Sequence, residues 1–219
     1  PEGPEVCHAL MLHPPAGIAG GDALSVQVRV GEGAKALITT PGAGKWYRSN
    51  GPLATQRLEF EVARGGVFEW LPQESIVFDQ GHGLDLLCLG RTASGERLTR
   101  GQLRLVSRIE RDGRLIWSEQ GLIEGGSRLL DSPVGLCGQP VTGSLLVASD
   151  GVDGSLLAAC REIRPRVGDA AVTRLPGLLV ARYLGPSAEA ARAWFVAVWS
   201  VLRPALAGRP AEVPRIWHT

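Results

Sequence analysis

Lysine is almost missing from this chain: of 23 basic residues only Lys35 and Lys45 are lysines, the rest being arginine, a bias of genome composition rather than of function. Cysteine is scarce and scattered. Cys7, Cys88, Cys137 and Cys160 form no C-x-x-C pair, which excludes a disulfide scaffold and the common zinc sites. No apolar run is long enough to span a bilayer, so no membrane segment is expected. Charge of one sign is lacking too: the formal net charge is +1 and basic residues are spread evenly, which leaves no footprint for nucleic acid. With no signal peptide in view, a reducing cytoplasm is the expected compartment. The sequence opens at Pro1 as if in the middle of a fold, and an earlier opening region is expected.

What is present is a sequence of 219 residues, 44% hydrophobic, punctuated by 29 glycines and 15 prolines. That is enough to bury a full core. Leu24, Val26, Val28 and Val30 alternate with Ser25, Gln27 and Arg29, the period of a half-buried strand. Residues 56–64 alternate in the same way, and 9–12, 36–40, 67–71, 84–89, 145–149 and 178–184 read as further strands. Runs 102–109 and 115–123 flank Asp112-Gly113, which predicts a hairpin because both turn residues tolerate positive φ. One stretch differs. From the N-cap Ser187, apolar residues fall at Ala191, Trp194, Phe195, Val198, Trp199 and Leu202, a helical stripe expected to stop at Arg203-Pro204. A shorter helix is expected around 155–163. The fold class is therefore all-β in the main, with one or two helices, the clearest near the C-terminus. No strand–helix alternation supports a dinucleotide-binding sheet.

Tests for catalytic motifs fail. Gly42-Ala43-Gly44-Lys45 looks like a phosphate loop, but Thr39 stands where its first glycine belongs and Trp46 where the magnesium-binding hydroxyl belongs. Pro41 to Gly44 reads as a plain loop, with Lys45 and Tyr47 as loop residues. Four histidines, His8, His13, His82 and His218, accompany no G-x-S-x-G elbow. Cys7-His8 and His13 read as structural. Acids in apolar surroundings are more informative. Asp85 shares a strand face with Leu87 and Leu89, Glu119 with Leu115 and Trp117 if the hairpin register holds, and Asp22 sits at a Gly-Gly approach to a strand. Each is either locally paired with an arginine or one of a set of oxygen ligands lining a wet passage.

A series of blocks then narrows the field: His13-Pro14-Pro15, Gly17, Gly20-Gly21-Asp22, Thr40-Pro41-Gly42, Lys45, Tyr47-Arg48-Ser49 and Gln56. It continues with Glu69-Trp70-Leu71-Pro72-Gln73-Glu74, Leu87-Cys88-Leu89-Gly90-Arg91, Gly95-Glu96, Leu202-Arg203-Pro204 and Pro214-Arg215-Ile216-Trp217. In this order they resemble the urease accessory protein family UreD, also called UreH, over almost the whole chain. The resemblance implies a single domain over 1–219, a helix-like stack of strands with a pair of helices, and a maturation factor that is not an enzyme. It implies direct binding to UreF, contact with UreG through UreF, and contact with apo-urease. It further implies transient passage of Ni²⁺ through an internal tunnel, with no tightly bound cofactor and no fixed metal site. The family's tunnel acids fall on Asp22, Asp85 and Glu119. Lys45, Tyr47, Arg48, Gln56, Glu69, Gln73, Glu74, Trp194 and Trp199 are structural or interface candidates, the two tryptophans packing in the core or docking UreF.

One departure stands out. The family carries roughly a strand and a half more between the Glu69 block and the Leu87 block, and a segment near 80–84 is absent here. Cutting a strand from a closed stack would expose backbone donors, which argues for residues left out of the sequence rather than a true deletion. A true deletion would put the assignment of Asp85 in doubt. Two other readings stay open: a β-sandwich carbohydrate-binding module or hydrolase, and a purely structural partner that nickel never touches.

Overall fold

The computed structural model describes residues 2–13, 17–85, 90–91 and 97–218, with backbone alone at 82–85, 90–91 and 218. Over the first half the chain winds as a coil. β1 (Cys7–Leu10) and β2 (Ala23–Val30) belong to a first circuit. β3 (Lys35–Thr39), β4 (Gly44–Trp46) and β5 (Ala54–Val62) make a second, and β6 (Val67–Leu71), β7 (Ser75–Val77) and β8 (His82–Asp85) a third. Each strand runs parallel to the one a circuit earlier: Cys7 lies beside Ala36, Lys35 beside Val67, Gly44 beside Ser75, Ala23 beside Thr55 and Ala54 beside Gly83. Ile18 completes the first circuit through a bridge to Trp46. Parallel pairing needs a long connection, and here the other sides of the coil supply it in place of crossover helices. Gly33 and Gly65 turn equivalent corners at φ values of 66° and 68°, which side chains with a Cβ rarely adopt.

The coil then shortens. β9 (Gly90–Arg91) pairs with β7 through Gly90 and Ser75. Residues 44 to 75 span a whole circuit, residues 75 to 90 about half of one, and among the described residues no strand joins the β1-β3-β6 side between β8 and β9. β10 (Gln102–Arg111) resumes beside β8, and β11 (Arg114–Glu124) returns along it. Asp79 holds the start of β10: its Oδ1 accepts from the N–H groups of Thr99 (2.6 Å) and Arg100 (2.9 Å), and its Oδ2 accepts from Thr99 Oγ1 (2.9 Å).

The second half adds α1 (Arg128–Asp131), β12 (Val141–Ala148), α2 (Gly154–Glu162), β13 (Asp169–Leu175), β14 (Leu178–Gly185), α3 (Ala188–Ala207) and a final 3-10 turn. Three sheets result, in the orders β1-β3-β6, β11-β10-β8-β5-β2 and β13-β14-β12-β9-β7-β4. The six-stranded sheet has two covered faces. On one, Trp46 and Val77 pack with Ala54 and Leu103 of the five-stranded sheet. On the other, Val141, Leu179, Ala181 and Tyr183 pack with Trp194, Phe195, Val198 and Leu202 of α3 and Cys160 of α2. α3 is also buried on its opposite flank, where Trp199 meets Val6 and Leu37 of the three-stranded side. It is a wedge between the coil and the C-terminal strands, which is why its apolar stripe is so broad.

The hairpin forms as expected, with Asp112 and Gly113 at φ values of 49° and 72°. Ser187 caps α3, its Oγ accepting from Ala190 N–H at 3.2 Å. Three expectations need correcting. Lys45 lies in β4 and not in a loop, because Gly44 to Trp46 pair in parallel with β7. Arg203-Pro204 does not stop α3: the exposed proline forfeits one donor in the last turn, and the helix runs on to Ala207 before Gly208 caps it at φ 69°, donating to Pro204 O at 3.1 Å. β13 is a strand that the sequence reading left out, exposed along most of its length and paired to β14. The stretch 86–89, with most of the expected strand 84–89 and its Leu87–Cys88–Leu89 block, lies outside the described residues, as do Pro14, Pro15, Gly95 and Glu96.

Candidate functional site

Pleat parity on the five-stranded sheet brings the three odd acids into one frame. β10 and β11 pair Leu103 with Ile123 and Ser107 with Glu119, while β10 and β8 pair Leu103 with Gly83 and Leu105 with Asp85. β5 pairs Ala54 with Gly83, and β2 pairs Leu24 with Gln56. Leu24, Gln56, Ala54, Asp85, Leu103, Leu105 and Glu119 therefore occupy one face, the face that packs on the six-stranded sheet. Asp22 precedes β2 in the same alternation, and its carbonyl accepts from Thr55 N–H at 2.8 Å.

The acids are nonetheless far apart. Asp22 lies at the β2 edge, Asp85 on the central strand and Glu119 at the β11 edge. Four inter-strand steps separate the outer two, roughly 19 Å. The exposed Asp22 accepts from Ala19 N–H at 2.8 Å and closes its own turn. Glu119 is half-buried and accepts from Arg182 of β14 at 2.5 Å, with the guanidinium 5.8 Å from the Trp117 ring centroid. For Asp85 only the strand position is described. Among the described residues no three His, Cys, Asp or Glu side chains converge on a point where a metal could be held. In the coil interior, Trp46 and Trp70 keep buried indole N–H groups with no hydrogen-bond partner in the described structure. Such donors are satisfied by an oxygen, from water or a carboxylate.

A second group lies where α3 meets the three-stranded side. Arg203, with its side chain only 1% exposed, is held between two carboxylates. Its Nη1 and Nη2 donate to Glu2 Oε2 and Oε1 at 2.8 Å each, and its Nε donates to both Glu69 oxygens at 3.0 Å. Trp199 Nε1 donates to Glu69 Oε1 at 2.7 Å, and the Arg203 guanidinium lies 5.2 Å from the Trp199 ring centroid. His8 Nε2 reaches Glu2 Oε1 at 2.8 Å. One turn of strand further on, Gln73 donates through its N–H to Thr40 Oγ1 (2.9 Å) and accepts from Arg192 Nη1 (2.7 Å). Trp217 Nε1 donates to Thr39 Oγ1 at 2.8 Å. Glu74 contributes its backbone carbonyl, which accepts from Gly44 N–H at 2.9 Å, and its side chain is half-buried. Trp194 is buried on the other flank of α3, donating to Ile163 O at 3.0 Å. Glu2 and Arg192 were not among the residues singled out from the sequence, and Arg203 was marked only as a helix stop and as part of the Leu202-Arg203-Pro204 block. Arg203 carried a signal: it falls on the apolar stripe of α3, four residues after Trp199, where an unpaired cation could not remain.

Residues 1–84 and 82–218 match the family described as UreD urease accessory protein. A urease accessory protein UreD of Azoarcus sp. (strain BH72) is 55% identical over 235 aligned positions, covering 100% of this chain and 82% of that protein. The UreD of Dechloromonas aromatica (strain RCB) is 49% identical, covering 100% and 83%, and that of Nitrosococcus oceani 49%, covering 100% and 79%. The chain belongs to the UreD family. As a UreD-family chain it takes a urease accessory role, and the carbohydrate-binding reading gives way to it. Glu69–Glu74 and Leu202–Pro204, two of the blocks that carried the resemblance, form one contact in the folded molecule, which clamps α3 and the N-terminal residues onto the coil. The alignment with the Azoarcus UreD is longer than the 219 residues of this chain, and the two matched segments meet at 82–84, where the coil shortens.

The clamp has an acid limit. Burial raises the affinity of Glu2 for a proton, but its hydrogen bonds and charge pairing with Arg203, helped by His8, outweigh this and hold its carboxyl below the usual glutamate range. Hydrogen bonds from Arg100 and Thr99 likewise hold Asp79 low. A depressed folded pKa contributes stability above the unfolded value, lost as pH falls through the folded one. The urea midpoint is therefore expected to be level from pH 7 to about 5 and to fall below about pH 4. In the Glu2→Gln variant it should start lower and fall less steeply. A midpoint level through pH 3 would rule out the carboxylates as the acid limit.

Proposed function

We propose that this chain is a scaffold for urease maturation that binds UreF directly, UreG through UreF, and apo-urease, and that Ni²⁺ crosses it in transit along the layer between the five- and six-stranded sheets. What supports passage is the shared face of the Asp85 and Glu119 positions, with Asp22 just ahead of β2 at the far edge of the same sheet. Spread from edge to edge of one sheet, they suit successive loose stations better than one chelate, and oxygen donors release a divalent ion more readily than imidazole or thiolate would. The chain's part is to supply those carboxylates, to shield the ion between two sheets, and, through Arg182, to hold Glu119 neutralised when no cation competes for it. The role requires no catalytic step of the chain itself.

A second reading has its own observations. Asp22 closes a turn and Glu119 is paired with Arg182, so both acids have structural work, and a scaffold without nickel contact accounts for them. The two readings part in one experiment. Asp22, Asp85 and Glu119 are replaced by Ala singly and together, the complex with UreF and UreG is confirmed by gel filtration, and urease activation is measured at limiting nickel. Passage predicts at least a tenfold loss in the triple variant with the complex intact. Full activation would leave the scaffold and remove the conduit.

A further inference from the structure

Trp46 is the largest fully buried side chain among the described residues, 1% exposed, and it lies in the layer between the five- and six-stranded sheets, packed with Ala54 and Leu103. Its indole N–H has no hydrogen-bond partner among the described residues. Leaving such a donor unmet costs about 1–3 kcal/mol, so an oxygen acceptor is expected beside it.

Strand register shows which polar groups share this part of the layer. Ala54 pairs with Gly83 and Thr55 with Leu84, so one residue further along these parallel strands Gln56 comes beside Asp85, with about 4.8 Å between the strands. Leu24 flanks Gln56 on its other side, and Leu105 flanks Asp85. One row of the inner face therefore runs Leu24, Gln56, Asp85, Leu105, two polar positions between two apolar ones. Both leucines pack against the cluster that holds Trp46, which sets the indole over the same row. Of the other residues marked in the sequence, Tyr47 stacks on Phe78 with centroids 5.8 Å apart and Arg48 bridges to Gly81. Gln56 is half-buried, and its amide has no hydrogen-bond partner among the described residues.

The chemistry of these groups is complementary. An amide oxygen is a hard, neutral donor to a divalent ion and adds no charge beside a carboxylate. An indole N–H cannot face a bare cation; it donates to an oxygen, which places water of the ion's hydration shell on that side. One carboxylate, one amide and retained water form an exchangeable set, where several anionic or imidazole ligands would form a trap.

We infer that Gln56 and Trp46, at the position of Asp85, form the midpoint of the crossing: Ni²⁺ passes there partly hydrated, held through the Gln56 amide oxygen, with Trp46 Nε1 donating to one of its waters. The inference rests on the nickel passage proposed above and adds two residues to it. The test uses the chain in its complex with UreF and UreG, each variant first shown to assemble by gel filtration. Gln56→Glu keeps the shape and sets a second carboxylate beside Asp85, so it is expected to bind Ni²⁺ about tenfold more tightly in equilibrium dialysis and to activate urease more slowly at limiting nickel. Adding Asp85→Asn should abolish that gain. Gln56→Leu and Trp46→Phe remove the amide and the N–H while keeping most of the bulk. Each is expected to lower activation at limiting nickel about fivefold, the worth of one hydrogen bond, and to recover in excess nickel, which a structural defect would not do. Full activation by either variant at limiting nickel, or no tightening in Gln56→Glu, would overturn the inference. So would tightening that persists without Asp85. Normal Gln56 and Trp46 variants beside a defective Asp22, Asp85, Glu119 triple variant would remove this midpoint and leave passage standing, whereas full activation by the triple variant would remove both.

Discussion

Replacing Arg203 with methionine is expected to destabilise the fold by about 3–5 kcal/mol, the usual cost of removing one partner from a buried charge cluster. The side chain is sealed, and its loss strands two carboxylates: Glu2, whose side chain is 4% exposed, and Glu69, at 14%. It also deprives Pro210 O of its donor and removes the cation beside the Trp199 ring. Methionine fills much of the same volume, so the effect reads the charge and not a cavity. The measurement is urea unfolding at pH 7. Adding Glu2→Gln and Glu69→Gln to the Arg203→Met protein should recover more than half of the loss, since a buried ion cluster exchanged for neutral groups often costs little. A single variant within about 1 kcal/mol of the parent would show that the cluster is hydrated in solution and contributes little.

Trp194→Ala should cost a similar amount, about 3–5 kcal/mol, for a different reason. Trp194 is 3% exposed and sits among Phe195, Val198, Tyr183 and Cys160, with ring centroids 5.0 Å from Phe195. Truncation removes the largest side chain of that core and leaves Ile163 O without its donor. For a chain of this size the thermal midpoint should fall by about 2–4 °C per kcal/mol. Because Trp194 and Arg203 lie on opposite flanks of α3 and share no hydrogen-bond partner among the described residues, the two losses should add within about 0.5 kcal/mol. Trp199→Ala and Arg203→Met should not add, because both act through Glu69. A double variant of Trp194 and Arg203 much less destabilised than the sum would mean that α3 detaches as a whole once either flank fails.

Much of this fold was legible where a local signal decides the structure. β2 and β5 follow from apolar alternation, the β10–β11 turn from Asp112-Gly113, and the start of α3 from Ser187. Pairing direction was not legible. Period-two alternation reads the same in parallel and antiparallel strands, and it was the circuit spacing, from Lys35 to Val67 and from Gly44 to Ser75, that set it. β4, β7 and β9 were missed because two or three residues carry too little pattern to rise above a loop. At the candidate sites, the sequence marked Glu69, Gln73 and Trp199, but could not say that they meet one helix. The contact of Glu2 with Arg203 joins opposite ends of the chain, and no spacing rule reaches that far. Asp22, Asp85 and Glu119 were marked as acids out of place; strand register puts the positions of Asp85 and Glu119 on one face of the five-stranded sheet, while Asp22 lies ahead of β2, exposed and closing a turn.

The short passage from Ser75 to Gly90 has a consequence for how such proteins vary. In a coil each strand depends only on the strands one circuit before and after it, so length can change by whole sides without disturbing the register elsewhere. β8 meets β5 and β10, and β9 meets β7 and β12, so the neighbours on either side of this corner keep their register. Evolution, or an engineer, could lengthen or trim this molecule at that corner much as a spiral stair gains or loses a landing, while the clamp on α3 keeps the top and bottom of the stair aligned.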